Sequence, residues 1–253
     1  MWALISVTPE KLILCAVCLA FGSLVQSVIG FGMGVVAIPL LVWGGFSLPE
    51  AIGMVLPNVL LQTAMNCWQN RRNLPWADVG VMFALRIVSI PIGVFVLHYL
   101  SDSGENLTRQ ILGFGVVGML VVQRLATRTE IRLPDQVGVF LAGVTSGFFA
   151  GLIGMGGPPL VCWVLGRGWS TDRQRSFLWL NFLFIVPIQI LLMYGAFGSR
   201  LAVAMLTGTT LSPLVLVVAW WGARLGNSLS KERLRLIMQL FLLLIAVRLI
   251  FWA

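Results

Sequence analysis

The sequence predicts an all-α polytopic membrane protein of two inverted-topology repeats, each a glycine-broken or re-entrant helix pair followed by three spanning helices. Three observations carry that reading: an apolar composition, a glycine-rich interruption that occurs twice, and a one-sided distribution of basic residues. Of the 253 residues 58% are hydrophobic and 10% charged, with a mean hydropathy of +0.95. A water-soluble domain carries roughly a quarter charged residues, so a soluble fold is excluded. At about 20 apolar residues per span, the chain holds roughly eight to ten membrane segments and little else.

Apolar runs fall at about 11–29, 34–45, 49–69, 77–100, 107–124, 136–153, 158–166, 174–194, 199–221 and 233–252. The second and seventh are too short to span, and each follows a glycine cluster: Ile29 to Gly34 in the first half, and Ile153 to Pro159 in the second. The repetition continues. Asn58 lies 28 residues after Gly30, Asn181 lies 27 after Gly154, and Pro91 and Pro213 follow at similar distances. Gln123-Arg124-Leu125 is answered by Val247-Arg248-Leu249. This spacing predicts a duplication of about 124 residues, with repeats at 1–126 and 136–253 joined by the polar linker 127–135.

Charge decides the relation of the halves. If each broken segment goes in and returns, whether re-entrant or as two spans, one face collects twelve basic residues: Arg71, Arg72, Arg124, Arg128, Arg132, Arg167, Arg173, Arg175, Arg224, Lys231, Arg233 and Arg235. Lys11, Arg109 and Arg200 are left opposite. A single crossing per broken segment would split the basic loops nearly evenly, against the positive-inside rule. Inverted repeats with both termini outside the cytoplasm follow, and Arg200 reads as a loop residue.

The same loops explain the formal net charge of +8, so nucleic acid is not expected as a partner; the lipid bilayer is. Cys15 and Cys18 lie inside an apolar helix without a second pair or a nearby His. They read as packing residues, and no metal or cofactor is expected. The first apolar run, after Lys11, lacks a convincing cleavage site and is read as retained.

The segments Gly22-Ser23-Leu24-Val25-Gln26-Ser27-Val28-Ile29-Gly30-Phe31-Gly32 and Gly143 to Pro159 resemble the signatures of the TauE/SafE sulfite-exporter family, also called the toluene sulfonate uptake permease family. The resemblance covers the whole chain. It implies transport of sulfite, sulfonates or related sulfur-containing and carboxylated anions across the bacterial inner membrane. The first motif has Met33 and Gly34 where the second has Gly157 and Pro158, which leaves the substrate within that class open.

The residues themselves point to an anion. Paired interrupted segments mark a transporter's binding site, and a helix starting inside the bilayer aims N–H groups and a positive dipole end at the break. The expected site is therefore Gly30, Gly32 and Gly34 facing Gly154, Gly156, Gly157 and Pro158, proline suiting the first helical turn. Asn58, Gln62 and Asn181 are candidates beside it, with interhelix glue as the other reading. Arg86 is the one basic residue well inside a span, and no Asp or Glu lies deep enough to pair with it. Either it faces the anion or it snorkels or bonds backbone carbonyls. His98, the single histidine, reads as a wetted interfacial residue, and most of the ten Trp as interfacial anchors.

No Ser-His-Asp set, HExxH or buried carboxylate pair is visible, so an enzyme is not expected. The reading is a secondary transporter of a small anion, with an anion channel selective through backbone dipoles as the alternative. Import or export, coupling ion and oligomeric state stay open, a homodimer being one option.

Overall fold

The structure is a computed structural model that describes residues 8–102, 104–128, 135–225, 240 and 243–251. Every regular element among them is helical: α1 Pro9–Ile29, α2 Met33–Trp43, α3 Leu48–Gln69, α4 Trp76–Asp102, α5 Glu105–Arg128, α6 Asp135–Ile153, α7 Gly157–Leu165, α8 Thr171–Thr210 and α9 Ser212–Leu225. Residues 243–251 are also helical. Of the basic residues counted above, Arg132, Lys231, Arg233 and Arg235 lie outside the described residues, as do the side chains of Arg124 and Arg128. So does most of the linker 127–135.

Helices α1, α4, α6 and α8 are long and apolar enough to cross a membrane. The 40 residues of α8 would extend about 60 Å at 1.5 Å per residue, twice a bilayer core, and they bend at Gly198, whose φ is 59°. The bend divides α8 into two helical segments, and α9 follows the second. Arg200 comes two residues after Gly198 and lies in a helix, not in the expected loop.

The two glycine clusters do break helices. α1 ends where Gly30 adopts φ 97° and its N–H bonds the Gln26 carbonyl, and α2 starts after Gly32 at φ 113°. Both angles lie where a side chain would be strained. α6 ends at Gly154, φ 72°, and α7 starts at Gly157. Each short helix then turns back along its partner. Gly44, past the end of α2, sits against Leu14, and Lys11 lies over the Phe46 ring. In the second half Arg167, past the end of α7, pairs with Asp135 at the start of α6 at 3.0 Å. α3 follows a capping box of Ser47 and Glu50.

The halves interlock. The α1 helix lies along α9, α3 along α8, and α6 along α4. The α4–α6 contact brings backbones together, because Gly93, Gly147 and Gly151 present no side chain: a Cβ added at Gly151 would stand 2.3 Å from the Ile90 carbonyl oxygen. Such close approach is how small residues join membrane helices. Outward, α4 shows lipid an apolar stripe of Val81, Val88, Ile92 and Phe95. Arginines stack on tryptophans at helix ends, as Arg71 on Trp68, Arg173 on Trp169 and Arg224 on Trp220. Cys15 and Cys18 are buried in the core, the Cys15 thiol 3.6 Å from Met54 Sδ.

Candidate functional site

The two breaks meet. A Cβ added at Gly34 would lie 2.8 Å from the Gly154 carbonyl oxygen, and beside this crossing is a cavity of about 40 Å³. Its polar lining consists of Gln26, Arg86 and Gln189 together with the backbone of Gly32, Met33, Gly34, Gly154, Gly156 and Gly157. Ile38, Ile52, Val59, Phe182 and Val186 supply much of the apolar wall. At about 10–15 Å³ per water-sized group, the space holds roughly three such groups.

Arg86 is 1% exposed, and its Nε and Nη1 have no hydrogen-bond partner. The guanidinium lies over the Phe182 ring, 5.4 Å from the centroid, and a Cβ on Gly156 would come within 3.1 Å of Nη2. No carboxylate among the described residues pairs with it. An arginine at the centre of a spanning helix costs about 2.5–3.5 kcal/mol on insertion scales, so its place here reflects more than packing. Gln26 adds a second orphan donor: its Oε1 accepts from Met33 N–H at 3.3 Å across the first break, while Nε2 is buried without a partner. Gln189 Nε2 donates to the Ala150 carbonyl at 2.7 Å, holding the last turn of α6. The unpartnered side-chain atoms on the cavity are therefore N–H donors, which suits a negatively charged guest.

The helix starts contribute unequally. α2 brings the backbone N–H groups of its first turn, that of Met33 already taken by Gln26. α7 begins Gly157-Pro158-Pro159, and prolines have no N–H to give. The second break thus offers the guest fewer donors than its glycine content suggests.

Of the expected site residues, Gly32, Gly34, Arg86, Gly154, Gly156 and Gly157 line the cavity. Gly30 does not; it lies under the side chain of Arg175. Pro158 is buried in the first turn of α7 but does not line the cavity. The three amides lie elsewhere too. Asn58 donates to the Met54 and Gly208 carbonyls, both at 2.9 Å, and accepts from Ser212 at 3.0 Å, so it ties α3 to α8 and α9. Gln62 donates to Ser27 Oγ at 2.8 Å and ties α3 to α1. Asn181 Nδ2 bonds its own helix at Phe177, with Oδ1 buried and unpartnered. Asn58 and Gln62 thus sit in the positions of the glue reading, whereas Asn181 joins no second helix among the described residues. Gln26 is the cavity residue that spacing alone passed over, although it stands inside the first signature.

A prediction separates the two sets. Asn58→Leu is expected to lower stability by about 1–3 kcal/mol, the cost of stranding buried partners, with anion affinity unchanged; thermal unfolding with and without sulfite reads both quantities.

A larger cavity, about 320 Å³, opens where α3 starts and α4 ends. It is lined by Glu50, His98, Asp102, Arg109 and Arg200 among others, and His98 stacks edge-on against Phe197 at 5.5 Å. Arg200 is therefore not a neutral reference position.

Over 204 residues the chain is 25% identical to the "Probable sulfite/organosulfonate exporter TauE" of Cupriavidus necator, covering 79% of this chain and 78% of that protein. No solved structure matches it. The family description "Sulfite exporter TauE/SafE" matches residues 14–249. With glycine-broken helices meeting at a donor-lined cavity inside an apolar helical body, this chain belongs to the sulfite exporter TauE/SafE family of membrane anion exporters.

Proposed function

We propose that the protein exports a small sulfur oxyanion, sulfite first among them, by alternating access between two inverted repeats in the bacterial inner membrane. The observation that carries this reading is the cavity at the crossing of the breaks, where the orphan side-chain atoms are the Arg86 and Gln26 donors. Its size favours a compact oxyanion; an organosulfonate would require the surrounding helices to part. Backbone N–H groups of α2 complete the shell, and they hold an anion without adding a mobile charge that would slow its release.

The contacts support opposite orientation of the halves 1–126 and 136–253. Asp78 at the start of α4 bonds Arg173 at the start of α8, 2.7 Å apart, and the α6–α7 hairpin opens beside the α8 start. The far end of α4 meets the bend of α8 at His98 and Phe197, and Phe46 and Ser47 at the opening of the α1–α2 hairpin line the same cavity as those two residues. One hairpin thus enters from the face of Arg71 and Arg173, the other from the face of His98. Single cysteines at Arg71 and Arg173, in a chain without Cys15, Cys18, Cys67 and Cys162, should label from the cytoplasmic side only. Labelling from opposite sides would sink the inverted arrangement.

Purified protein should be stabilised by sulfite but not by taurine or simple carboxylates, by about 2.7 kcal/mol at a hundred times Kd. In proteoliposomes, saturable sulfite counterflow is expected of a carrier, and large unitary currents would instead establish the channel reading.

A further inference from the structure

Arg175, one of many basic residues near the cytoplasmic face, is only partly exposed and turns its side chain inward. Its stem lies across the first break: a Cβ added at Gly30 would stand 2.7 Å from Arg175 Cγ. Its Nη2 donates to the Val28 carbonyl in the last turn of α1. A guanidinium there meets both an unsatisfied carbonyl and the negative end of the helix dipole. Nε is buried and unpartnered.

The matching position in the other half is different. The spacing that aligns Asn58 with Asn181 aligns Ile52 with Arg175, and Ile52 does cover the second break: a Cβ added at Gly154 would lie 2.9 Å from Ile52 Cγ1. Equivalent places over equivalent breaks therefore hold a cation toward the basic face and an aliphatic side chain toward the other.

We propose that Arg175 is an anion-operated latch on the cytoplasmic side of the site, a role that rests on the export reading given above. With its bond to Val28 made, the side chain bars the approach to the first break. An arriving oxyanion offers the guanidinium a charge-assisted partner in place of the carbonyl, so the latch opens for anions and stays shut to cations. Ile52 offers no such exchange, which makes the two approaches to the cavity chemically unequal and lets loading from the cytoplasm be selective.

The test needs no transported substrate. A single cysteine, Val59→Cys, is placed in the cavity wall of a chain lacking the four native cysteines. Its labelling by an anionic and a cationic methanethiosulfonate is timed in vesicles of each orientation. From the basic face, the anionic reagent should react at least about tenfold faster than the cationic one. Arg175→Met, which keeps the stem over Gly30, should speed the cationic reagent and abolish that preference; Arg175→Lys should retain part of it. Size-exclusion profiles check folding, and if Arg175→Met does not fold, Arg175→Lys against wild type carries the comparison. An unchanged charge preference in the variant, or a change confined to the opposite face, would overturn the latch. Sulfite counterflow is measured in parallel: if wild type shows none while the charge preference behaves as described, the latch stands and the sulfite assignment falls.

Discussion

Arg86→Gln is expected to weaken sulfite binding by about ten- to a hundredfold, the worth of one hydrogen bond to a charged partner, without lowering the unfolding temperature in the absence of anion. The two halves of that expectation come from one observation. The guanidinium is wholly buried, and two of its three nitrogens have no partner in the protein. Removing an uncompensated charge from such a place relieves desolvation, so a purely structural arginine and an anion-binding one differ in sign: loss of the first would destabilise the fold, loss of the second would not. Arg86→Lys should restore only part of the affinity, because a point ammonium lacks the fork that bonds two oxyanion atoms at once. Arg71→Gln is the reference, since Arg71 bonds only the Trp68 carbonyl at the surface and stacks on its ring. Thermal-shift titration with sulfite gives affinity and intrinsic stability from the same samples. A variant that is less stable and binds as wild type would assign Arg86 to the fold alone.

Gly151→Val should produce the largest structural effect, on the order of 3 kcal/mol or more, and little monodisperse protein after extraction. A side chain at Gly151 would collide with backbone rather than with movable groups: the Ile90 oxygen at 2.3 Å and the Val94 nitrogen at 2.7 Å. Since α4 carries Arg86, separating α4 from α6 would also dismantle the site. Gly118→Ala and Gly195→Ala are the controls, because neither glycine has a neighbour within 4 Å of an added Cβ. Each should be neutral or slightly stabilising through reduced freedom of the unfolded chain. Fluorescence-detected size-exclusion profiles across a heating series would rank the three. Equal profiles would show that the interface relaxes at no cost.

The two predictions divide one signature between two tasks. Gly147 and Gly151 serve backbone contact with α4, while Gly154, Gly156 and Gly157 shape the cavity. In the sequence these glycines look alike. Their roles differ because the first pair is helical and faces another helix, whereas Gly154 has positive φ where the helix stops.

The polar residues show the limit of spacing as evidence. Asn58 and Asn181 lie at similar distances from the two glycine clusters, yet their surroundings are unequal. Asn58 bonds the Gly208 carbonyl, and the register set by Pro91 and Pro213 makes Gly208 the counterpart of Arg86. Among the described residues Asn181 has no such partner on another helix: it bonds only Phe177 within α8 and leaves Oδ1 unpartnered. Similar spacing from a glycine cluster therefore does not give the two asparagines similar partners.

What the sequence by itself determined was everything local in origin. Hydropathy required a membrane fold, paired glycine clusters beside runs too short to span marked the helix breaks, and the one deep arginine was visible because nothing near it in the chain could neutralise it. Only the tertiary structure decided which groups share the cavity. Gln26 and Gln189 face it while Asn58, Gln62 and Asn181 do not, and Arg175 turns inward onto Gly30. Those outcomes depend on how each helix is rotated about its axis, and that rotation is set by packing against a helix from the other half of the chain, as where Asn58 meets Gly208 150 residues away.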